Sequence, residues 1–114
     1  MIITIPGLPE ASSERLLGVL RAHPHVDAIW LYGSRAMGRH TPASDIDLTL
    51  GGDRLSHNDL LQLLARIDDL LLPWQVDLSL RQTLSEDLQA HVGRVGQCLW
   101  SRTAAVAAER STHG

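Results

Sequence analysis

Apolar positions along the chain switch between a spacing of three to four residues and a spacing of two, the signature of helices alternating with half-buried strands. Leu16, Leu17 and Leu20 fall on one side of a helix that runs to about His23, with Pro9 suited to its start and Pro24 ending it. Val26 to Tyr32 is nearly continuous apolar sequence, a strand that Gly33 breaks. Residues 34–44 read as a turn or short helix followed by a loop, with Gly38 and Pro42 as punctuation. From Asp45 to Leu50 the alternation is strict: Ile46, Leu48 and Leu50 share one face, Asp45, Asp47 and Thr49 the other. Ser56 is a helix N-cap with Asp59 three residues on, and Leu60, Leu63, Leu64, Ile67 and Leu71 follow at helical spacing until Pro73. Gln75 to Leu80 is a third strand, with Val76, Leu78 and Leu80 opposite Asp77 and Ser79. Thr83 with Glu86 predicts a capping box for a helix reaching about Val92.

Short edge strands are expected at Ile2–Ile5 and, as strand or turn, at Gly96–Trp100. Residues 103–114 are Ala-rich and then polar, a tail that either docks on a partner or frays. The order α-β-α-β-α-β-α predicts an α/β fold: one domain over residues 1–102, a small mixed sheet with helices packed against it.

Composition narrows the core. Apolar residues are 44% of 114, yet there are three Trp, one Tyr and no Phe, so Leu, Ile, Val and Ala must fill the interior. Trp30 and Trp74, in or beside strands, are expected to join them. Net charge is -3 and every one of the ten basic side chains is Arg. With no basic run, direct nucleic-acid binding is not expected. Cys98 is alone, which points to a reducing, cytoplasmic setting and to a buried structural thiol. Neither a signal-peptide pattern nor a membrane-length apolar run is present in the sequence. The six His show no metal-ligand spacing; only His40, in the loop ahead of Asp45, stands where it could touch a ligand.

The candidate chemistry lies on the polar faces. Asp45 and Asp47, two apart on a strand, point the same way with backbones roughly 6 to 7 Å apart. Such a pair can converge on two metal ions about 3.5 to 4 Å apart, and carboxylates with phosphates are the ligands Mg²⁺ prefers. Asp77 joins the same face if its strand is a neighbour, and a bound cation relieves the repulsion among three carboxylates. Gly33 permits a sharp turn and close approach of a phosphate, and Ser34 adds a hydroxyl and opens a turn of N–H groups. Arg35 or Arg39 could contact phosphate oxygens.

Tyr32-Gly33-Ser34-Arg35-Ala36-Met37-Gly38-Arg39, then Pro42-Ala43-Ser44-Asp45-Ile46-Asp47-Leu48, resembles the signature of the minimal nucleotidyltransferases of the DNA polymerase β-like superfamily, and Val76-Asp77-Leu78 continues it. The likeness spans roughly residues 10–101. It implies a polymerase β-like mixed sheet, ATP as substrate and Mg²⁺ in a two-metal site on Asp45, Asp47 and Asp77. By the same resemblance Gly33 and Ser34 hold the triphosphate, with Arg35 and Ser44 among the nucleotide-binding residues, and Asp77 activates the acceptor hydroxyl. It further implies a HEPN-family RNase toxin as partner. In the MntA type of pair, the nucleotidyltransferase is the antitoxin and transfers AMP to a tyrosine of the toxin. A small-molecule nucleotidyltransferase and a non-catalytic binding antitoxin are the alternatives. The first expects an acceptor-binding domain that this sequence does not offer, and the second has no need of three clustered acids.

Overall fold

The computed structural model describes residues 4–102. Three helices and four strands follow the order α1 (Glu10–Ala22), β1 (Ala28–Tyr32), β2 (Ile46–Gly51), α2 (His57–Asp68), β3 (Val76–Leu80), α3 (Glu86–Val95) and β4 (Gln97–Ser101). The sheet order is β3-β2-β1-β4. β1 pairs antiparallel with both β2 and β4, whereas β2 and β3 run parallel. The expected α/β architecture with a mixed sheet is therefore present.

Between β1 and β2, where a turn or short helix is expected, the chain makes the turn, so the element order has no helix there. Met37 N–H bonds Gly33 C=O at 3.2 Å, but Arg39 N–H then reaches back to Ser34 C=O at 2.9 Å and Gly38 N–H to Arg35 C=O at 3.4 Å. That bond pair, with Gly38 at φ 70°, is a Schellman stop: a left-handed glycine ends the helix after one turn. The strand or turn expected at Gly96–Trp100 forms as β4 over Gln97–Ser101 and completes the sheet edge, while Gly96 caps the end of α3. The strand expected at Ile2–Ile5 lies mostly outside the described residues, and Thr4 and Ile5 belong to no strand. The tail at 103–114 also lies outside them.

One face of the sheet makes the core. Ile29 and Leu31, Ile46, Leu48 and Leu50, and Leu78 and Leu80 alternate inward and meet Leu16, Leu17 and Leu20 of α1 with Leu63 and Ile67 of α2. Leu31, Leu48 and Leu63 are fully buried, so cutting any one to Ala costs about 2–5 kcal/mol through lost transfer energy and a residual cavity. Ser56 caps α2 as expected: its hydroxyl accepts Asp59 N–H at 3.2 Å while the Asp59 carboxylate accepts Ser56 N–H at 3.1 Å. At α3 the cap is Ser85, whose hydroxyl accepts Leu88 N–H at 3.3 Å. Thr83 instead closes a 3₁₀ turn, donating to Leu80 C=O at 2.9 Å.

The other face of the sheet stays polar and partly open. Trp30 sits there, outside the core, with the Arg81 guanidinium 4.3 Å from its ring centre. A nearly continuous apolar β1 does not reveal which face each side chain takes. Cys98, expected buried, is exposed on the edge strand. Among the described residues, no helix is long and apolar enough to cross a membrane.

Candidate active site

The polar face gathers the predicted acids at one end of the sheet. Asp47 stands opposite Asp77 across the parallel β2–β3 pair and opposite Tyr32 across the antiparallel β1–β2 pair. Partners in register on adjacent strands point to the same side, about 4.8 Å apart at the backbone. Asp45 lies one residue ahead of β2, exposed at the mouth of the same face. Asp77 is also exposed, and Asp47 is half-buried between its neighbours. Burial pushes the Asp47 carboxyl above the usual carboxylate range, and the Asp77 and Asp45 carboxylates push it further; the Arg35 and His91 side chains act in the opposite direction. A carboxylate held uphill by burial and two like charges is a group arranged for a cation.

Gly33 closes the site from β1. Its φ is 75°, a left-handed backbone that disfavours side chains, and a Cβ there would collide with the Asp47 carboxylate oxygen. The turn thus lies against the acid with nothing between them. Ser34 opens that turn, partly exposed, with its carbonyl occupied by Arg39 N–H.

Arg35 has a different position from the one its place in the motif suggests. It is 1% exposed, and its guanidinium donates to three backbone carbonyls: Pro6 at 2.7 Å, Ser44 at 2.6 Å and Asp45 at 3.3 Å. All of its nitrogens are engaged, so it clamps the loop that delivers Asp45 rather than facing a phosphate. Ser44 serves the same loop: its hydroxyl accepts Thr41 N–H at 2.8 Å and its carbonyl accepts from Arg35. Arg39 is exposed.

Two residues enter the site that sequence reasoning did not single out. Tyr32 is buried on the active face; burial raises its phenol pKa, a hydrogen bond with Ser79 lowers it, and Asp77 and Asp47 raise it again. In the sequence it stood at the end of an apolar run and at the head of the Gly-Ser motif, with no role of its own. His91, from α3, accepts Gly33 N–H on Nε2 at 3.4 Å and meets the Tyr32 ring edge-on at 6.2 Å. Nothing in the sequence near His91 marks it, because α3 reaches the site only through tertiary packing.

Carboxylates on adjacent strands, backed by a glycine turn and open to solvent, can hold divalent cations and the phosphates those cations neutralise. Among the described residues the three aspartates do not form a group whose ligand atoms all converge within 4.8 Å; that group is His23, His25 and Asp59. The aspartate arrangement is therefore wider than a closed single-ion cage.

A mixed four-stranded sheet with paired strand acids beyond a Gly-Ser turn defines the nucleotidyltransferase class. The family described as "Polymerase beta, Nucleotidyltransferase" matches residues 14–105, and the chain belongs to it. A search of curated protein sequences finds no significant match. Among solved structures, a toxin–antitoxin complex with AMP-PNP superposes with a TM-score of 0.65 at 22% identity, covering 87% of each chain. A tri-AMPylated Shewanella oneidensis HEPN toxin in complex with its MNT antitoxin superposes at 0.63 and 22% identity, over 86% of this chain and 76% of that one. A putative nucleotidyltransferase from Sulfolobus solfataricus gives 0.51 and 23% identity, over 82% and 78%. At these identities the likeness establishes the fold.

Proposed function

We propose that the protein transfers AMP from ATP to a hydroxyl of a partner HEPN toxin, most directly a tyrosine, and thereby acts as its antitoxin. The observation that carries this reading is the register of Asp47 with Asp77 beside the Gly33 turn. Family membership and the fold shared with an MNT antitoxin in complex with an AMPylated HEPN toxin support it.

In this reading the acceptor oxygen attacks the α-phosphorus of ATP, the bond to the β-phosphate oxygen breaks, and pyrophosphate leaves. The Gly33-Ser34 turn holds the triphosphate. Asp45, Asp47 and Asp77 would hold Mg²⁺, whose preferred ligands are carboxylate and phosphate oxygens. Bound Mg²⁺ neutralises the triphosphate and lowers the pKa of the attacking hydroxyl. Asp77, exposed on β3 as Asp45 is ahead of β2, would take the acceptor proton in this reading. Arg35 fixes the loop that carries Asp45.

The test is label transfer. Purified protein, Mg²⁺, ATP labelled on the α-phosphate and the toxin encoded beside it should give labelled toxin, and Asp45→Asn or Asp47→Asn should abolish the label. Full-rate transfer by either variant would show that these carboxylates are not the site. A wild type that binds and silences the toxin without labelling it would establish inhibition by contact instead.

A further inference from the structure

We propose that His23, His25 and Asp59 form a second metal site, for a divalent cation of the zinc class, at the end of the sheet away from the aspartates. Each side chain offers one ligand atom, and all three atoms lie within 4.8 Å of one another. His25 Nδ1 is 2.9 Å from Asp59 Oδ2, and His23 Nε2 is 3.5 Å from Asp59 Oδ1. Tetrahedral zinc with bonds of about 2.0–2.1 Å holds its ligand atoms about 3.3–3.4 Å apart. The two separations lie either side of that value but run to different oxygens of Asp59, so the side chains must shift for one oxygen and both nitrogens to meet a single ion.

The surroundings suit an ion held by three side chains with a fourth position open to water. The His23 and Asp59 side chains are 12% and 11% exposed, held by packing, while His25 is 36% exposed. The two rings meet edge-on at 5.2 Å. Beside His25 opens a cleft of about 380 Å³, lined also by Arg54 and Arg102, which admits a water as fourth ligand. The ligands come from separate elements. His23 and His25 flank Pro24 in the turn from α1 to β1, which is closed by Val26 N–H to His23 C=O at 3.2 Å. Asp59 is in the first turn of α2. An ion here staples that turn to the start of α2. β1 separates it from the aspartates by roughly 13 Å of strand, so no ligand is shared. Sequence spacing hides the site because Asp59 lies 34 residues beyond His25.

Without an ion the group satisfies itself. Asp59 accepts from Ser56 N–H and lies against both rings. His25 N–H donates to His23 Nδ1 at 3.1 Å, which keeps that ring's proton on Nε2. Metal binding forms bonds to His25 Nδ1 and His23 Nε2; each neutral ring then carries its proton on the other nitrogen, and the His25 N–H contact is given up. Two imidazoles and one carboxylate select zinc, cobalt or nickel over magnesium, the reverse of an all-carboxylate set.

The experiment titrates the full-length, metal-stripped protein with Zn²⁺, and with Co²⁺ as a spectroscopic probe. The expected result is saturable binding with tetrahedral Co²⁺ absorption bands and a Zn²⁺-dependent rise in melting temperature. Both should persist in Asp47→Asn. Both should be lost or weakened in His25→Gln by at least the roughly 10–100-fold that even outer-shell changes cost. His23→Gln is the second variant, because it leaves the Ser56–Asp59 cap in place. Binding and bands unchanged in both His variants, bands lost in Asp47→Asn, or no saturable Zn²⁺ binding by the wild type would each overturn the proposal.

Discussion

Replacing Arg35 separates two roles that a phosphate-loop arginine can have. The side chain is 1% exposed, and among the described residues it makes no ion pair; its donors meet the carbonyls of Pro6, Ser44 and Asp45. Hydrogen bonds from a charged donor contribute about 1.5–3 kcal/mol each. The whole is less than their total, because truncation also removes the desolvation cost of a buried charge and lets water reach the carbonyls. Arg35→Ala is therefore expected to cost about 3–5 kcal/mol. For a domain of this size, at about 4 °C per kcal/mol, the melting temperature falls by about 12–20 °C. Arg35→Lys keeps the charge and one donor direction but loses the fork, and should cost about 2 kcal/mol, or about 8 °C.

Thermal melts followed by circular dichroism, paired with the KM for ATP, distinguish the roles. A loop clamp predicts that Arg35→Lys lowers the melting temperature in the absence of ATP. It also predicts a lower kcat, since Asp45 is no longer held in place and displacement of about 1 Å can cost about 10²-fold. A phosphate ligand predicts an unchanged melt and a raised KM alone. An Arg35→Lys protein that melts with the wild type would refute the clamp.

Asp47→Asn should reduce AMP transfer by about 10³-fold or more, since the lost cation stabilisation is several kcal/mol. It should also raise the melting temperature of the metal-free protein at neutral pH. The folded-state pKa of Asp47 is raised, so its contribution to stability is full below the unfolded pKa and is lost as pH rises through the folded value; label transfer checks the first half and melts without Mg²⁺ the second. Gly33→Ala forces a methyl against the Asp47 carboxylate at φ 75° and should cost about 1 kcal/mol or more in stability, together with most of the transfer activity, read by melting and label transfer. Asp59 has the opposite sign: its hydrogen bond with His25, foremost, holds its carboxyl below the usual range. That stability is present above the unfolded pKa of about 3.9 and is lost as pH falls through the folded value, so acid melts of Asp59→Asn should show a shallower acid limb than the wild type.

Much of this site was legible because strand periodicity is a local property. Ile46, Leu48 and Leu50 bury one face of β2, and that alone fixes Asp47 on the other; the same alternation in β3 fixes Asp77. Proline and glycine marked most element ends for equally local reasons. What the sequence hid depends on contacts between distant segments. Arg35 reads as a phosphate ligand because it follows Gly-Ser, and only the packing of Pro6 and Ser44 around it shows a clamp. Thr83 and Ser85 both fit a helix cap, and the 3₁₀ turn after β3 decides between them. Trp30 lies in a strand whose residues are apolar on both sides, so its face is set by Thr49 across the ladder rather than by its own neighbours in sequence.

The mixed sheet itself is what brings the acids together. β1 and β2 are antiparallel, so the loop joining them starts and finishes at the same end of the sheet, and Gly33 and Asp45 meet there. β2 and β3 are parallel, which requires the chain to cross back through α2 before β3 begins. That return trip starts β3 at the end where β2 started, and it sets Asp77, the second residue of β3, level with Asp47, the second residue of β2. An antiparallel β3 would have carried Asp77 to the far end, beside the His23–His25 turn. A slip of one residue along β3 would have turned its carboxylate into the core, where Leu78 and Leu80 now pack. The crossover direction and the register are therefore selected together: the leucines that bury one face of β3 are what hold Asp77 beside Asp47 on the other.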